Sequence, residues 1–201
     1  IGPEYQPGHA HAETLAFELS IHGQRVFVNS GTSTYEPGPE RRFERSTAAH
    51  NTVEVAGRDS SEVWAAFRVG HRARVFDLQT SAGPNGVEIA ASHDGYRHLP
   101  GRPVHRRTLH ARPGAISVAD EVSSPSLAAV ARFHLHPAVE IGEGSTLRLP
   151  DRTVIRWSAE GGPCRITKGR WRPCFGREEP NHCIEVPLLD GRQRFSIRWD
   201  A

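Results

Sequence analysis

Two imidazoles stand two residues apart in PGHAHAETLAFEL (7–19): His9 and His11. An imidazole titrates near neutral pH, so it can pass a proton or, when neutral, offer a lone pair to a metal. On an extended chain residues i and i+2 face one side. The two rings then converge on one ligand, unless Pro7 and Gly8 bend the chain and send them to separate roles. The pattern alone also fits two half-exposed strand histidines, and His134 and His136 repeat it with nothing reactive around them. The first pair has richer surroundings. NSGTSTYEPG (29–38) is a polar, glycine-containing loop carrying Tyr35, and ERRFERSTAAHNT (40–52) brings an arginine cluster and a third histidine, His50. That density is the mark of a site rather than a core. Arg42 and Arg45 could hold carboxylates or sulfates in bidentate pairs, or form surface ion pairs with Glu40 and Glu44. Trp64 could stack on a sugar, although core packing suits a lone Trp in a strand-rich domain.

The elements that must position these groups are strands. Leu15, Phe17, Leu19 and Ile21 alternate with smaller or polar residues, His22-Gly23 reads as a turn, and RVFVN (25–29) returns as the hairpin partner. Further period-two stretches are 51–55, 72–78, 86–92, 104–111, 115–122, 129–136, 153–159, 183–189 and 193–199, separated by glycine- and proline-rich turns. One short helical turn is expected within 39–49. Many short antiparallel strands predict an all-β, antiparallel β-sandwich in one domain, residues 1–201.

Composition narrows the function further. Net charge is only +2, with Lys168 the sole lysine. Arginines are interspersed with acids and no base-stacking strand motif occurs, which argues against a nucleic-acid partner. No apolar run is long enough to cross a bilayer, so no membrane role is expected. Cys164, Cys174 and Cys183 are odd in number and lack C-x-x-C spacing, so buried free thiols are expected. No G-x-S-x-G elbow suggests a serine nucleophile.

The runs GHAHAETLAFEL, VFVNSGTSTYE and ERRFERSTAAHNTVEVAGRDSSEVW, in that order, resemble the C-terminal domain of the heparinase II/III-like polysaccharide lyases. SHDGYRHLPGRPVHRRTLHA (92–111) and WRPCFG (171–176) are similar to later parts of the same domain, so the resemblance spans nearly the whole chain. It implies a fragment of a longer lyase: a β-sandwich lacking the family's N-terminal α/α-toroid, which would be its partner in the same protein. The implied reaction is β-elimination on an acidic polysaccharide. A base takes the C5 proton of a uronic acid, an acid protonates the departing O4, and the adjacent carboxylate must be neutralised.

By motif, His9 matches the family's catalytic histidine and Tyr35 a catalytic or substrate-contacting tyrosine. His11, Asn29 and His50 match the ligands of a zinc ion that fixes the cleft-facing loops. Asn29 lies eighteen residues past His11 (29 − 11), where the family usually has aspartate. An amide oxygen is a poorer zinc partner than a carboxylate, and Glu13 is placed to supply the missing charge. Arg42 and Arg45 are the expected substrate-binding residues. The resemblance also implies a bacterial periplasmic or secreted location, and an isolated chain that is weak or inactive without its toroid. The competing reading is a non-catalytic carbohydrate-binding β-sandwich, in which His9 transfers no proton.

Overall fold

Alternating apolar side chains drive most of this chain into strands. The protein is described by a computed structural model over residues 7–200; the outermost residues of the expected 1–201 domain lie outside the described residues. A first hairpin, β1 (Leu19–Ile21) and β2 (Gln24–Phe27), precedes α1 (Pro39–Arg45), the one α-helix among the described residues. Next come β3 (Val53–Val55), the small pair β4 (Val63–Trp64) and β5 (Arg68–Val69), then β6 (Val75–Gly83) and β7 (Gly86–His93). β8 (His105–Arg112), β9 (Ala115–Val122), β10 (Ala129–His134), β11 (Glu140–Gly142) and β12 (Thr146–Arg148) continue the series. β13 (Val154–Glu160), β14 (Arg165–Cys174), β15 (Arg177–Pro187) and β16 (Arg192–Trp199) complete the fold.

Eight strands form one sheet in the order β11-β12-β13-β16-β9-β8-β7-β6, and four form the other, β14-β15-β10-β3. Neighbouring strands pair antiparallel throughout. The two inner faces meet through aromatic rings. Phe133 of β10 stacks on Phe195 of β16 at 4.1 Å, with Phe27 5.8 Å from Phe133. Each ring of this size, fully buried, stabilises the fold by about 1.5–3 kcal/mol. This is the sandwich that the alternation predicts, and the turn at His22-Gly23 has the two positive φ angles, 50° and 76°, that suit a tight hairpin.

The first strand is shorter than its alternation suggests. The ladder begins at Leu19, and residues 10–18 run beside the sandwich as irregular chain, with Leu15 at φ 61°. Side chains from elsewhere satisfy this backbone in place of a strand partner. Thr47 Oγ1 donates to Ala12 O, Thr52 Oγ1 to Thr14 O, Arg107 Nη1 to Leu15 O and Asn51 Nδ2 to Phe17 O. Arg107 is itself held in the core by a bidentate pair with fully buried Asp120, which also accepts from His105 Nε2 and Gln193 Nε2. His9 and His11 are therefore on a 3-10 turn and a tethered loop, not on a strand.

Other expectations are corrected too. Trp64 is 46 % exposed, because it lies on the two-stranded flap rather than in a sheet. Of the cysteines, all free, only Cys183 is buried. β14 has no period-two apolar signal because, at a sheet edge, its sequence RITKGRWRPC scatters Ile166 and Trp171 among charged and small residues.

Candidate active site

The tethered loop, the end of β2 and the segment after α1 meet at one rim of the sandwich, around a cleft of about 410 Å³. His9, His11, Glu13, Asn29, Tyr35 and His50 all line it. Three imidazoles and the amide are thus brought together, as their order in the sequence suggested.

His9 closes the 3-10 turn Pro7–His9 and is exposed. Its ring stands between those of Tyr35 at 5.3 Å and Phe67 at 5.8 Å. His11 is half-buried deeper in the cleft. Desolvation, reinforced by Arg41, Arg45 and His9, lowers its pKa to about 4, so it is neutral at pH 7. His50 is 2 % exposed, and burial holds its pKa well below the ordinary range, with His11 and His134 adding to the effect. Burial also raises the pKa of the Glu13 carboxyl.

A relay of side chains orients His50. Asn29 Nδ2 donates to Glu18 Oε1 at 2.9 Å, which turns Asn29 Oδ1 toward His50 Nδ1 at 2.9 Å. The amide oxygen accepts only, so Nδ1 is the donor of this contact, and Nδ1 is also the nitrogen that faces Glu13 Oε2, at 3.8 Å, with Nε2 across the ring. That Nε2 is buried with no hydrogen-bond partner. Ligand atoms of His11, Glu13 and His50 all lie within 4.8 Å of one another. Asn29 Oδ1 and Glu13 Oε2 both face His50 Nδ1, so the expected His11, Asn29 and His50 stand together with Glu13 beside them.

Helix phase overturns the expected arginines. On α1, residues 41, 44 and 45 share the buried face while Arg42 points to solvent, outside the lining of the cleft. Arg45 is 1 % exposed, with its guanidinium spent on the carbonyls of Ala10, Trp64, Ala65 and Arg68. It clamps the His9–His11 loop to the β4–β5 flap and has nothing left for a substrate. The arginines of the cleft are Arg25, Arg41 and Arg172. An i, i+3, i+4 reading of ERRFER would have placed Arg41 inward.

Glu44, fully buried, links the helix to the cleft. It accepts from Ser33 N and Oγ at 2.9 and 2.6 Å and lies 3.3 Å from Arg172 Nε. The β14–β15 hairpin reaches the same place, because Arg172 N donates to Ser30 O and Gly31 passes close beneath. A Cβ on Gly31 would collide with Arg172 O, and its φ of 83° also favours glycine. Trp171, Arg172 and Phe175 thereby join the site from more than a hundred residues away, where period-two reading had no signal for them.

Fold and site together define an all-β sandwich domain with a charged, histidine-bearing cleft at its rim. A model of the family described as Heparinase II/III-like, C-terminal, matches residues 1–200, and the chain belongs to that family, which is related to polysaccharide lyases. Solved structures of the same fold include a heparinase III gene product, at 17 % identity and TM-score 0.74, covering 96 % of this chain and 31 % of that one. The heparan sulfate lyase HepC of Pedobacter heparinus is similar at 14 % identity and TM-score 0.72, covering 95 % and 31 %. The chain thus spans about a third of the length of these proteins. A comparison with curated protein sequences gives no match.

Proposed function

We propose that this chain forms one wall of a polysaccharide lyase active site, the other wall coming from an N-terminal toroid of the same protein. The substrate is a uronic-acid-containing acidic polysaccharide and the reaction is β-elimination. The observation that carries this reading is His9, exposed at the mouth of a cleft whose inner wall holds neutral imidazoles and arginines. A base removes the C5 proton, its electrons form the C4–C5 double bond, and O4 leaves with a proton from an acid. His9 is suited to one of these transfers. Tyr35, its ring 5.3 Å away, is suited to contact the sugar or the leaving oxygen. Arginine at the cleft would neutralise the uronate and so lower the cost of the C5 carbanion.

Zinc fits the donor set. Two neutral imidazoles and a carboxylate are zinc ligands, and His50 turns Nδ1 toward both Glu13 Oε2 and Asn29 Oδ1. His11 and His50 would hold the ion, with the oxygens of Glu13 and Asn29, both facing His50 Nδ1, beside them. Arg41 Nη1 donates toward His11 Nε2 at 3.4 Å, so loading would exchange that hydrogen bond for a coordinate bond. When bound, zinc would supply a fixed positive charge that ties the loops of the rim together.

The test is formation of the unsaturated product, followed by its ultraviolet absorbance. The full-length protein is expected to turn over an acidic polysaccharide, and His9→Ala to lower turnover by about 100-fold or more. The isolated chain is expected to show little or no turnover. Weaker binding by the variant with unchanged turnover of bound substrate would instead establish a carbohydrate-binding module.

A further inference from the structure

The tip of the β14–β15 hairpin stands at the edge of the cleft, next to its lining residue Pro173, and has no part in the proton transfers. Cys174 pairs with Arg177 across a turn that leaves Phe175 55 % exposed. Its ring lies 4.6 Å from Tyr35, whose ring lies 5.4 Å from Phe67. Tyr35 is 38 % and Phe67 45 % exposed, so three partly bare rings pack at steep angles to one another, Tyr35 and Phe67 beside His9 and Phe175 beyond Tyr35. The wall is braced from behind. The guanidinium of buried Arg41 sits 5.0 Å from the Tyr35 ring centre and 5.9 Å from that of Phe67. Gly176 N–H donates to Ser33 O, which holds the hairpin tip to the Tyr35 loop.

A contiguous exposed aromatic surface marks a contact site, and its surroundings say with what. Arg25 and Arg172 line the same cleft as Tyr35. Arg172 is paired with Glu44 and Glu178, whereas exposed Arg25 has no carboxylate partner among the described residues. A pyranose presents a C–H face that packs on aromatic rings, and a uronate or sulfate ester adds an oxyanion at its edge. A cleft lined by Tyr35 and the free Arg25 guanidinium, with Phe67 and Phe175 packed on Tyr35 at its edge, matches both halves of such a ligand.

We propose that Phe175, Tyr35 and Phe67 form the stacking wall of an acidic-sugar subsite beside His9, with Arg25 holding the anionic group of that sugar. This rests on the polysaccharide reading above and adds Phe175, Phe67 and Arg25 as residues that bind the sugar rather than react with it.

The test is calorimetric titration of the 201-residue chain with a heparin hexasaccharide and an alginate hexasaccharide. The variants are Phe175→Ala, Phe175→Tyr and Arg25→Ala, with Arg192→Ala on the outer face of the large sheet as control and thermal unfolding as the check on folding. The wild type is expected to bind, Phe175→Ala to bind about tenfold more weakly, and Phe175→Tyr to restore affinity. Arg25→Ala should weaken binding and flatten its salt dependence. The alginate arm reports whether a carboxylate suffices, and the heparin arm whether sulfate is required. Failure of the wild type to bind either probe, or equal binding by Phe175→Ala, overturns the subsite. Either result leaves the lyase reading to the turnover of the full-length protein, which is measured separately.

Discussion

At the scale of single residues, the feature that most shapes this site is the Glu18–Asn29–His50 relay. An asparagine where the family usually has aspartate looks like the loss of a ligand. In the fold its amide oxygen orients His50, 2.9 Å from Nδ1, the ring nitrogen that also faces Glu13. Outer partners of this kind typically change metal affinity by about 10–100-fold when removed. Asn29→Ala should therefore weaken zinc binding by that factor in a chelator competition, with the melting temperature of the metal-free chain little changed. Unaltered affinity would mean that the amide has no influence on the imidazole. Glu13→Gln tests the charge at the same cluster: its loss should weaken zinc more than loss of the neutral Asn29 amide does, because a carboxylate is the better zinc partner.

At the scale of elements, one short helix decides which arginines serve the fold. Pro39 starts α1 with its φ already suited to a helix, and the resulting phase turns Arg41, Glu44 and Arg45 inward. Arg45→Met should leave several buried carbonyls without a donor and cost about 3 kcal/mol or more in urea unfolding. Arg42→Ala, one helical step away in solvent, should stay within about 0.5 kcal/mol of the wild type. The hairpin tip depends in the same way on one glycine. Gly31→Ala would push a methyl into the Arg172 carbonyl at a positive φ, so the β14–β15 tip must move. Faster proteolytic cleavage around 171–176 is the expected result, at a stability cost above about 1 kcal/mol.

At the scale of the whole molecule, the core is unusual for the number of neutral histidines it encloses. His93 Nε2 contacts His105 Nδ1 at 2.9 Å, His105 Nε2 contacts Asp120 at 2.7 Å, and His134 Nε2 donates to Ala48 O. Burial lowers all three imidazole pKa values, that of His134 to about 4, while Arg107 holds Asp120 ionised well below the usual carboxylate range against the cost of its burial. Each such histidine takes up a proton at about pH 6.5 when unfolded but not when folded. Stability from these groups is therefore full above that pH and falls as the pH drops toward 4, by up to about 1.4 kcal/mol per pH unit for each group. Asp120 adds a further loss below about pH 4, where the unfolded chain is protonated and the folded one is not. Urea midpoints measured on the chelator-treated chain from about pH 7.5 to 4.5 should decline steadily from about pH 6.5. A flat profile across that range would show that these imidazoles are not held neutral.

The sequence by itself determined the sandwich, because alternation is a local pattern and reports which face of a strand is wet. AISVADEV coincides with β9 residue for residue, and the His9, His11 and His50 motifs, in order, identified the rim of the site. Only the tertiary structure decided which groups share that rim. The inward arginine depends on the phase of α1, and the irregular run 10–18 depends on hydrogen bonds from Thr47, Thr52, Asn51 and Arg107, which lie far along the chain. Trp171, Arg172 and Phe175 reach the cleft because Gly31 lets a distant hairpin close on it. Period and spacing record neighbours along the chain; a site assembled from four separated segments is fixed by packing and hydrogen bonding between them.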